Sequence, residues 1–284
     1  MRHRFLRYPG GLCKAATLSY DDGVKQDVRF ADTITKAGLK CTFNLNSDKL
    51  RINRGLTKEQ VKKHILDNGH EIAVHGEMHV AQGAIRPIEG IREVLNCRLE
   101  LENRYGIIVR GMAYPNAGIT IFHNNANYES IKHYLTDLDI AYARTLGGDN
   151  NKFMLPNDWH AWMPTAHHNN PKIMEYIDEF LKIDVSENVH ISNRYARLFY
   201  LWGHSYEFDT NNNWEHLDDI CQKLGGHDDV WYATNMEIYD YVNAYNSLVF
   251  SADSTIVYNP TRYDVWFNAD GTPYKVGAGE TIKI

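Results

Sequence analysis

Lys14-Ala15-Ala16-Thr17-Leu18-Ser19-Tyr20-Asp21-Asp22-Gly23 is a short apolar run that closes on two adjacent carboxylates and a glycine. Further along, Glu71-Ile72-Ala73-Val74 runs into His75-Gly76-Glu77-Met78-His79. Each stretch reads as a strand that delivers polar groups at its C-terminal end. Together they offer a metal one carboxylate and two imidazoles, with a second carboxylate left free beside them. Three protein ligands and an open fourth position suit a hydrolytic metal site, because water must occupy the remaining place.

The strand-then-helix rhythm continues outward from these stretches. Residues 28–37 read as a helix stopped by Gly38, and 40–44 as a strand. Thr57 and Gln60 form a capping box for a helix that Gly69 ends. Helices are expected at 88–105, 128–138, 172–181, 214–224 and 236–245, and strands at 111–114, 140–145, 159–165 and 196–202. Such alternation predicts a parallel sheet with helical crossovers. The number of units fits an α/β fold, a distorted (β/α) barrel of about seven strands, with the active site at the C-terminal strand ends. Beyond Ser247 the pattern shortens into runs at 255–258, 264–267, 274–276 and 281–284, separated by Asn-Pro and Asp-Gly turns. The expected organisation is a barrel over 1–247 and a small antiparallel β appendage over 248–284, packed on the barrel because it is too small to stand alone.

Composition narrows the function classes. Thirty basic against 36 acidic residues give a formal charge of −6, and no basic stripe is present, so a nucleic-acid partner has no electrostatic support. No run reaches the ~20 apolar residues of a membrane span. The basic N-terminus lacks an apolar h-region, and the four cysteines are widely spaced without a Cys-x-x-Cys. A reducing, cytoplasmic setting is the expectation, with neither a disulfide framework nor a thiolate metal site. Eighteen Tyr and six Trp, many among Asn, Asp and His, suit sugar rings as well as ordinary packing.

Taken singly, Asp21-Asp22-Gly23 is a common turn, and His75 and His79 are surface neighbours. A third strand, 196–202, ends at Gly203-His204 and converges with the other two if the barrel closes. The joint pattern resembles the polysaccharide deacetylases, the NodB-homology group known as carbohydrate esterase family 4. Ser19-Tyr20-Asp21-Asp22-Gly23 matches the family's Thr-Phe-Asp-Asp-Gly. His75 to His79 match His-Ser/Thr-x-x-His, with Gly76 in place of the hydroxyl residue. Ala113-Tyr114-Pro115-Asn116-Ala117-Gly118 matches the aromatic–proline turn, and Leu201-Trp202-Gly203-His204 the apolar strand ending in histidine. The motifs follow in family order across roughly residues 14–245.

The resemblance implies metal-dependent removal of N- or O-acetyl groups from a carbohydrate. It places one divalent metal, most often zinc, on Asp22, His75 and His79, with Asp21 as general base and His204 as general acid. Tyr114, Pro115, Asn116, Arg144, Trp162 and Trp202 are the expected substrate-side residues, and a backbone N–H of the Pro115–Asn116 turn is a second oxyanion donor. The sequence departs from the family at Ala113, where many members carry an arginine that orients the catalytic aspartate. Arg144 is the expected substitute. The family's Asp-rich fourth motif has no clean counterpart; Trp159, Trp162, His167 and His168 lie in that region. Two rival readings are a hydrolase of a small non-sugar amide or imide and a non-catalytic carbohydrate-binding protein.

Overall fold

In the computed structural model, which describes residues 3–146, 148–185 and 189–284, two strands open the chain: Arg4–Arg7 (β1) and Lys14–Asp21 (β2). β2 is buried at every position, as a strand with neighbours on both edges and layers on both faces must be. Its sheet is completed by Cys41–Leu45 (β3), Glu71–Val74 (β4), Gly111–Ala113 (β5), Tyr142–Arg144 (β6), Ala166–His167 (β7), Arg197–Gly203 (β8) and Val230–Tyr232 (β9). The parallel order is β6-β5-β4-β3-β2-β8-β7, with β9 also paired to β2. β8 follows one edge of β2 from the Lys14–Arg197 pair to the Tyr20–Gly203 pair. The other edge is shared by β9, at Lys14–Ala16, and β3, at Leu18–Asp21.

One irregular segment joins the two ends of this order. On the β6 side, Trp162 N donates to Ala143 O and Thr145 N to Trp162 O. On the β8 side, Thr165 N donates to Tyr200 O, and Ala166–His167 pair with Leu201–Trp202. The result is the distorted (β/α) barrel expected from the alternation. The expected strand at 159–165 is absent. A 3-10 turn, Trp159–Ala161, stands there, capped by the Asp158 side chain. Pro164 has no N–H for a ladder, so pairing resumes only beyond it.

Crossovers are supplied by Asp27–Lys36 (α1), Ser47–Arg51 (α2), Lys58–Gln60 (α3), Pro87–Tyr105 (α4), Tyr128–Asp137 (α5), Ile173–Leu181 (α6), Tyr206–Thr210 (α7), Trp214–Leu224 (α8) and Asn235–Asn246 (α9). The Thr57–Gln60 capping box forms as read, and its helix continues through tighter and wider turns to Gly69, at φ +69°. Gly106, at φ +70°, stops α4.

Side chains alternate across β2. Ala16, Leu18 and Tyr20 pack outward with Phe30 and Ile34 of α1 and Leu217 and Ile220 of α8 in the main core. Each fully buried side chain of this kind contributes roughly 1.5–3 kcal/mol. Thr17, Ser19 and Asp21 face the barrel lumen, which is polar and hydrogen-bonded. Thr17 donates to Asn235 Oδ1 (2.9 Å), and Asn44 Nδ2 donates to both Ser19 Oγ and Asp21 Oδ1 (2.8 Å each).

The C-terminal part builds two antiparallel sheets from Val249–Phe250 (β10), Ile256–Tyr258 (β11), Val265–Ala269 (β12), Thr272–Val276 (β13) and Thr281–Lys283 (β14). Their orders are β1-β12-β13 and β10-β11-β14. β1, which the sequence reading counted with the barrel, thus lies in the appendage, pairing Arg4 with Ala269 and Arg7 with Trp266. Among the described residues no helix is long and apolar enough to cross a membrane.

Candidate active site

The C-terminal ends of β2, β4, β5, β6 and β8 converge on a cavity of about 260 Å³ lined by Asp21, Asp22, His75, His79, Tyr114, Asn116, Leu146, Trp202, His204 and Tyr206. A larger hollow of about 530 Å³ at the opposite end of β2 gathers no comparable chemistry; Lys14 there is already held by Asp229 and by Leu181 O.

Three residues that line the cavity have left-handed backbone: Asp22 (φ +84°), His79 (φ +62°) and Asn116 (φ +50°). Asp, His and Asn are among the side chains that tolerate this region best, yet each instance costs energy, and such residues cluster at functional sites. The turn between the two histidines also needs Gly76, at φ +82°, where a Cβ would meet Glu93 Oε2 at 2.9 Å. Glu93 holds that turn by accepting from Met78 N (2.9 Å). A hydroxyl-bearing residue at 76 would be strained by the backbone conformation and would have to displace the Glu93 carboxylate.

Asp22, His75 and His79 present ligand atoms within 4.8 Å of one another. His79 Nε2 lies 3.3 Å and His75 Nε2 3.9 Å from Asp22 Oδ1. That oxygen is buried and accepts no aligned hydrogen bond; its charge partner is the Lys49 ammonium at 3.0 Å, and a cation among these three groups would give it a directed ligand bond instead. His75 Nδ1 donates to Ala113 O (2.9 Å), which leaves the Nε2 lone pair facing the cavity. Burial pushes the His75 imidazole down to about 4 and His79 also below its usual value, so both are neutral near pH 7, as ligands must be. Asn116 Nδ2 secures the His79 carbonyl (2.7 Å). The donor set fits a divalent ion such as zinc.

Asp21 points to the same place from the barrel side. Asn44 Nδ2 holds its Oδ1, and Arg144 Nη2 lies 2.5 Å from Oδ2. Arg144 is completely buried, its guanidinium 4.5 Å from the centre of the Trp202 ring. The arginine absent at Ala113 is thus replaced in space by one from the next strand in the sheet. Burial works against charge on Asp21, but Arg144, His75 and His204 together outweigh it and hold the carboxyl below its usual range.

His204 Nε2 lies 3.9 Å from Asp21 Oδ2, and His204 lines the same cavity as His75 and His79. Its Nδ1 is held by Glu207 Oε1 (3.1 Å). Burial again opposes the charged form, and the Glu207 hydrogen bond, with Asp21 and Asp22, more than offsets it, raising the imidazole above its usual value. Glu207 in turn is surrounded: Asn169 Nδ2 at 2.8 Å, His168 Nε2 at 3.1 Å and His167 Nε2 at 3.3 Å all face Oε2. Burial opposes ionisation of this carboxyl as well, but His168, His204 and His167 pull it far below the ordinary range. His167, His204 and Glu207 also have ligand-type atoms within 4.8 Å of one another. However, His167 Nδ1 accepts from Asn169 N (3.1 Å), so its Nε2 carries the proton and offers no free lone pair to a metal. The cluster is a hydrogen-bonded support for His204.

Of the expected substrate-side residues, Tyr114, Asn116 and Trp202 line the cavity. Arg144 lies behind Asp21. Pro115 is buried in its turn, where its carbonyl accepts from Gly118 N. Trp162 does not face the cavity. It is buried against Tyr142, Trp159 and Tyr200, because the segment that closes the barrel turns its ring into the second core cluster. The sequence reading missed Asn44, Leu146, Tyr206 and Glu207. Only Glu207 carried a signal, three residues beyond a strand-end histidine at the start of a helix.

The family model for polysaccharide deacetylase matches residues 4–133. None of the curated proteins matches the sequence. Among solved structures, a putative polysaccharide deacetylase from Mycobacterium smegmatis superimposes with a TM-score of 0.56 at 15% identity, covering 87% of this chain and 96% of that one. A carbohydrate esterase family 4 pseudoenzyme from Bacillus anthracis gives 0.51 at 14% identity, over 83% of this chain and 68% of that one. A mutant of that pseudoenzyme with restored enzymatic activity gives 0.53 at 15%, over 83% and 70%. Residues 4–133 thus resemble the polysaccharide deacetylase family in sequence, and most of the chain shares the fold of a putative polysaccharide deacetylase.

Proposed function

We propose that the protein is a metal-dependent hydrolase that removes acetyl groups from a carbohydrate. Because a pseudoenzyme shares this fold, the fold alone does not argue for catalysis; the residues do. The observation that carries the reading is the convergence of Asp22, His75 and His79 on one buried carboxylate oxygen that accepts no aligned hydrogen bond, with Asp21 and His204 beside it. A divalent cation held there supplies a Lewis acid for the acetyl carbonyl and for water. Asp21, kept ionised and fixed by Arg144 and Asn44, takes the proton of the attacking water. His204, charged through Glu207, returns a proton to the leaving amine or alkoxide. In this reading the backbone N–H of Asn116, in the Pro115–Asn116 turn, supports the oxyanion. Trp202 and Tyr206 offer aromatic faces to a sugar ring at the mouth. The rival reading, a small amide or imide hydrolase, drew on the missing arginine and on the missing hydroxyl residue at 76; the Arg144 guanidinium beside Asp21 weighs against the first of these grounds.

The test is acetate release from acetylated sugar oligomers by protein stripped with chelator and reloaded with zinc. His79→Ala should lose stoichiometric metal while remaining folded. Asp21→Asn and His204→Ala should keep metal and lose roughly 100-fold or more in turnover. Metal retained by His79→Ala, or near-normal turnover in His204→Ala, would overturn the assignment.

A further inference from the structure

A cation that belongs to the chain already stands at the metal-ligating aspartate. Lys49, on α2, places its Nζ 3.0 Å from Asp22 Oδ1, the same atom on which His75 and His79 converge. This oxygen is buried and lacks an aligned donor, so the ammonium is a charge partner without a directed hydrogen bond. Its position is built. Arg54 N and Gly55 N both donate to Lys49 O, and Leu56 N donates to Gly23 O, so the loop after α2 is fastened to the residue that follows Asp22. Gly55 is required there, since a Cβ would meet Gly23 O at 2.5 Å. The side chain is about one-third exposed, so its flexible stem has solvent to swing into.

We propose that Lys49 is a built-in competitor for the metal, neutralising Asp22 when the ion is absent and weakening its retention. The proposal rests on the metal site assigned above. A divalent ion on Asp22 Oδ1 and an ammonium on the same oxygen repel at short range in a partly desolvated site. Each ion bound therefore displaces the lysine from Asp22, and the cost of breaking that pair is subtracted from metal affinity. The consequence is an exchangeable metal, and a metal-free form whose aspartate is not left as an isolated buried charge.

The test is binding, not turnover. Chelator-stripped protein is titrated with Co(II), read by its visible absorption, and with Zn(II), read by competition with a chromophoric chelator. Lys49→Met and Lys49→Gln should each bind both ions roughly tenfold more tightly than wild type. Lys49→Arg should bind like wild type. Affinity unchanged or weakened in both neutral variants would overturn the proposal. Absence of stoichiometric binding in wild type and variants alike would instead overturn the metal site itself. Two neutral variants of different polarity separate the loss of charge from the change of side chain, and circular dichroism of each establishes that it is folded.

Discussion

Glu207 governs how His204 presents itself. An imidazole acting as an acid must keep its proton at working pH and must aim Nε2 into the cavity. The Glu207 carboxylate does both by taking the Nδ1 proton's hydrogen bond. The sign follows from the charge: an anion at Nδ1 favours the imidazolium, so it raises the pH at which His204 loses its proton. Glu207→Gln removes that charge while keeping the side chain's shape. The alkaline limb of kcat/KM should move to lower pH by about one unit, and the plateau should fall at least several-fold. Bound metal should be unchanged. An alkaline limb that stays in place would show that Glu207 serves folding alone. Asp21, Asp22, His75, His79 and His204, which the structure gathers around one cavity, were readable in sequence because they follow or close apolar runs. Asn44 and Lys49 were not, since a lone amide or ammonium on a strand or helix carries no pattern that distinguishes it from a solvated residue; Glu207 had only its place three residues beyond a strand-end histidine to mark it.

Secondary-structure elements were readable where a period or a cap marked them and unreadable where one segment serves two neighbours. β2, β4 and β8 announced themselves as apolar runs ending in polar groups. The segment from Trp159 to His167 did not, because it pairs with β6 through a single residue and with β8 through another two. β9 was missed because three residues are too few to show alternation. What holds these elements in register includes one carboxylate at the start of β4. Glu71 accepts from Tyr142 OH on β6 (2.6 Å), Thr42 Oγ1 on β3 (2.7 Å) and Met236 N at the start of α9 (2.9 Å). Burial pushes its carboxyl up to about 7, with the three donors pulling the other way. Between about pH 4.5 and 7 the unfolded chain has released this proton and the folded chain still holds it. The group's contribution therefore falls as pH rises through that window and is constant above it. Urea unfolding at pH 5 and pH 8 should show wild type losing on the order of 1–3 kcal/mol more than Glu71→Gln between the two. Parallel pH dependence in the two proteins would assign Glu71 an ordinary titration.

The molecule as a whole is closed by a contact between its two ends. Period-2 runs after Ser247 predicted a small antiparallel unit, but the contribution of β1 was hidden. Four residues near the N-terminus cannot be assigned a sheet when the partner strand lies at the other end of the chain. That pairing is long-range: β1 sits on β12, while β12 packs on α9, the helix that Glu71 anchors to the barrel. The third core cluster lies in this contact, where Ala244 and Leu248, from α9 and just past it, meet Val257, Val265, Phe267 and Val276. Phe267 is fully buried at its centre, with Tyr274 stacked on one side and Phe250 edge-on. Phe267→Ala should cost roughly 3–5 kcal/mol where the appendage and barrel unfold together, through lost burial and the cavity left behind. The candidate active-site cavity lies at the C-terminal ends of the barrel strands, and no residue of β1 or β10–β14 lines it. The variant should therefore keep stoichiometric metal and wild-type turnover well below its melting temperature. If melting splits into two transitions with the upper one at the wild-type temperature, the appendage unfolds alone and contributes nothing to the barrel. If turnover falls while the protein is still folded, the C-terminal sheets communicate with the site through α9 and the Glu71 anchor.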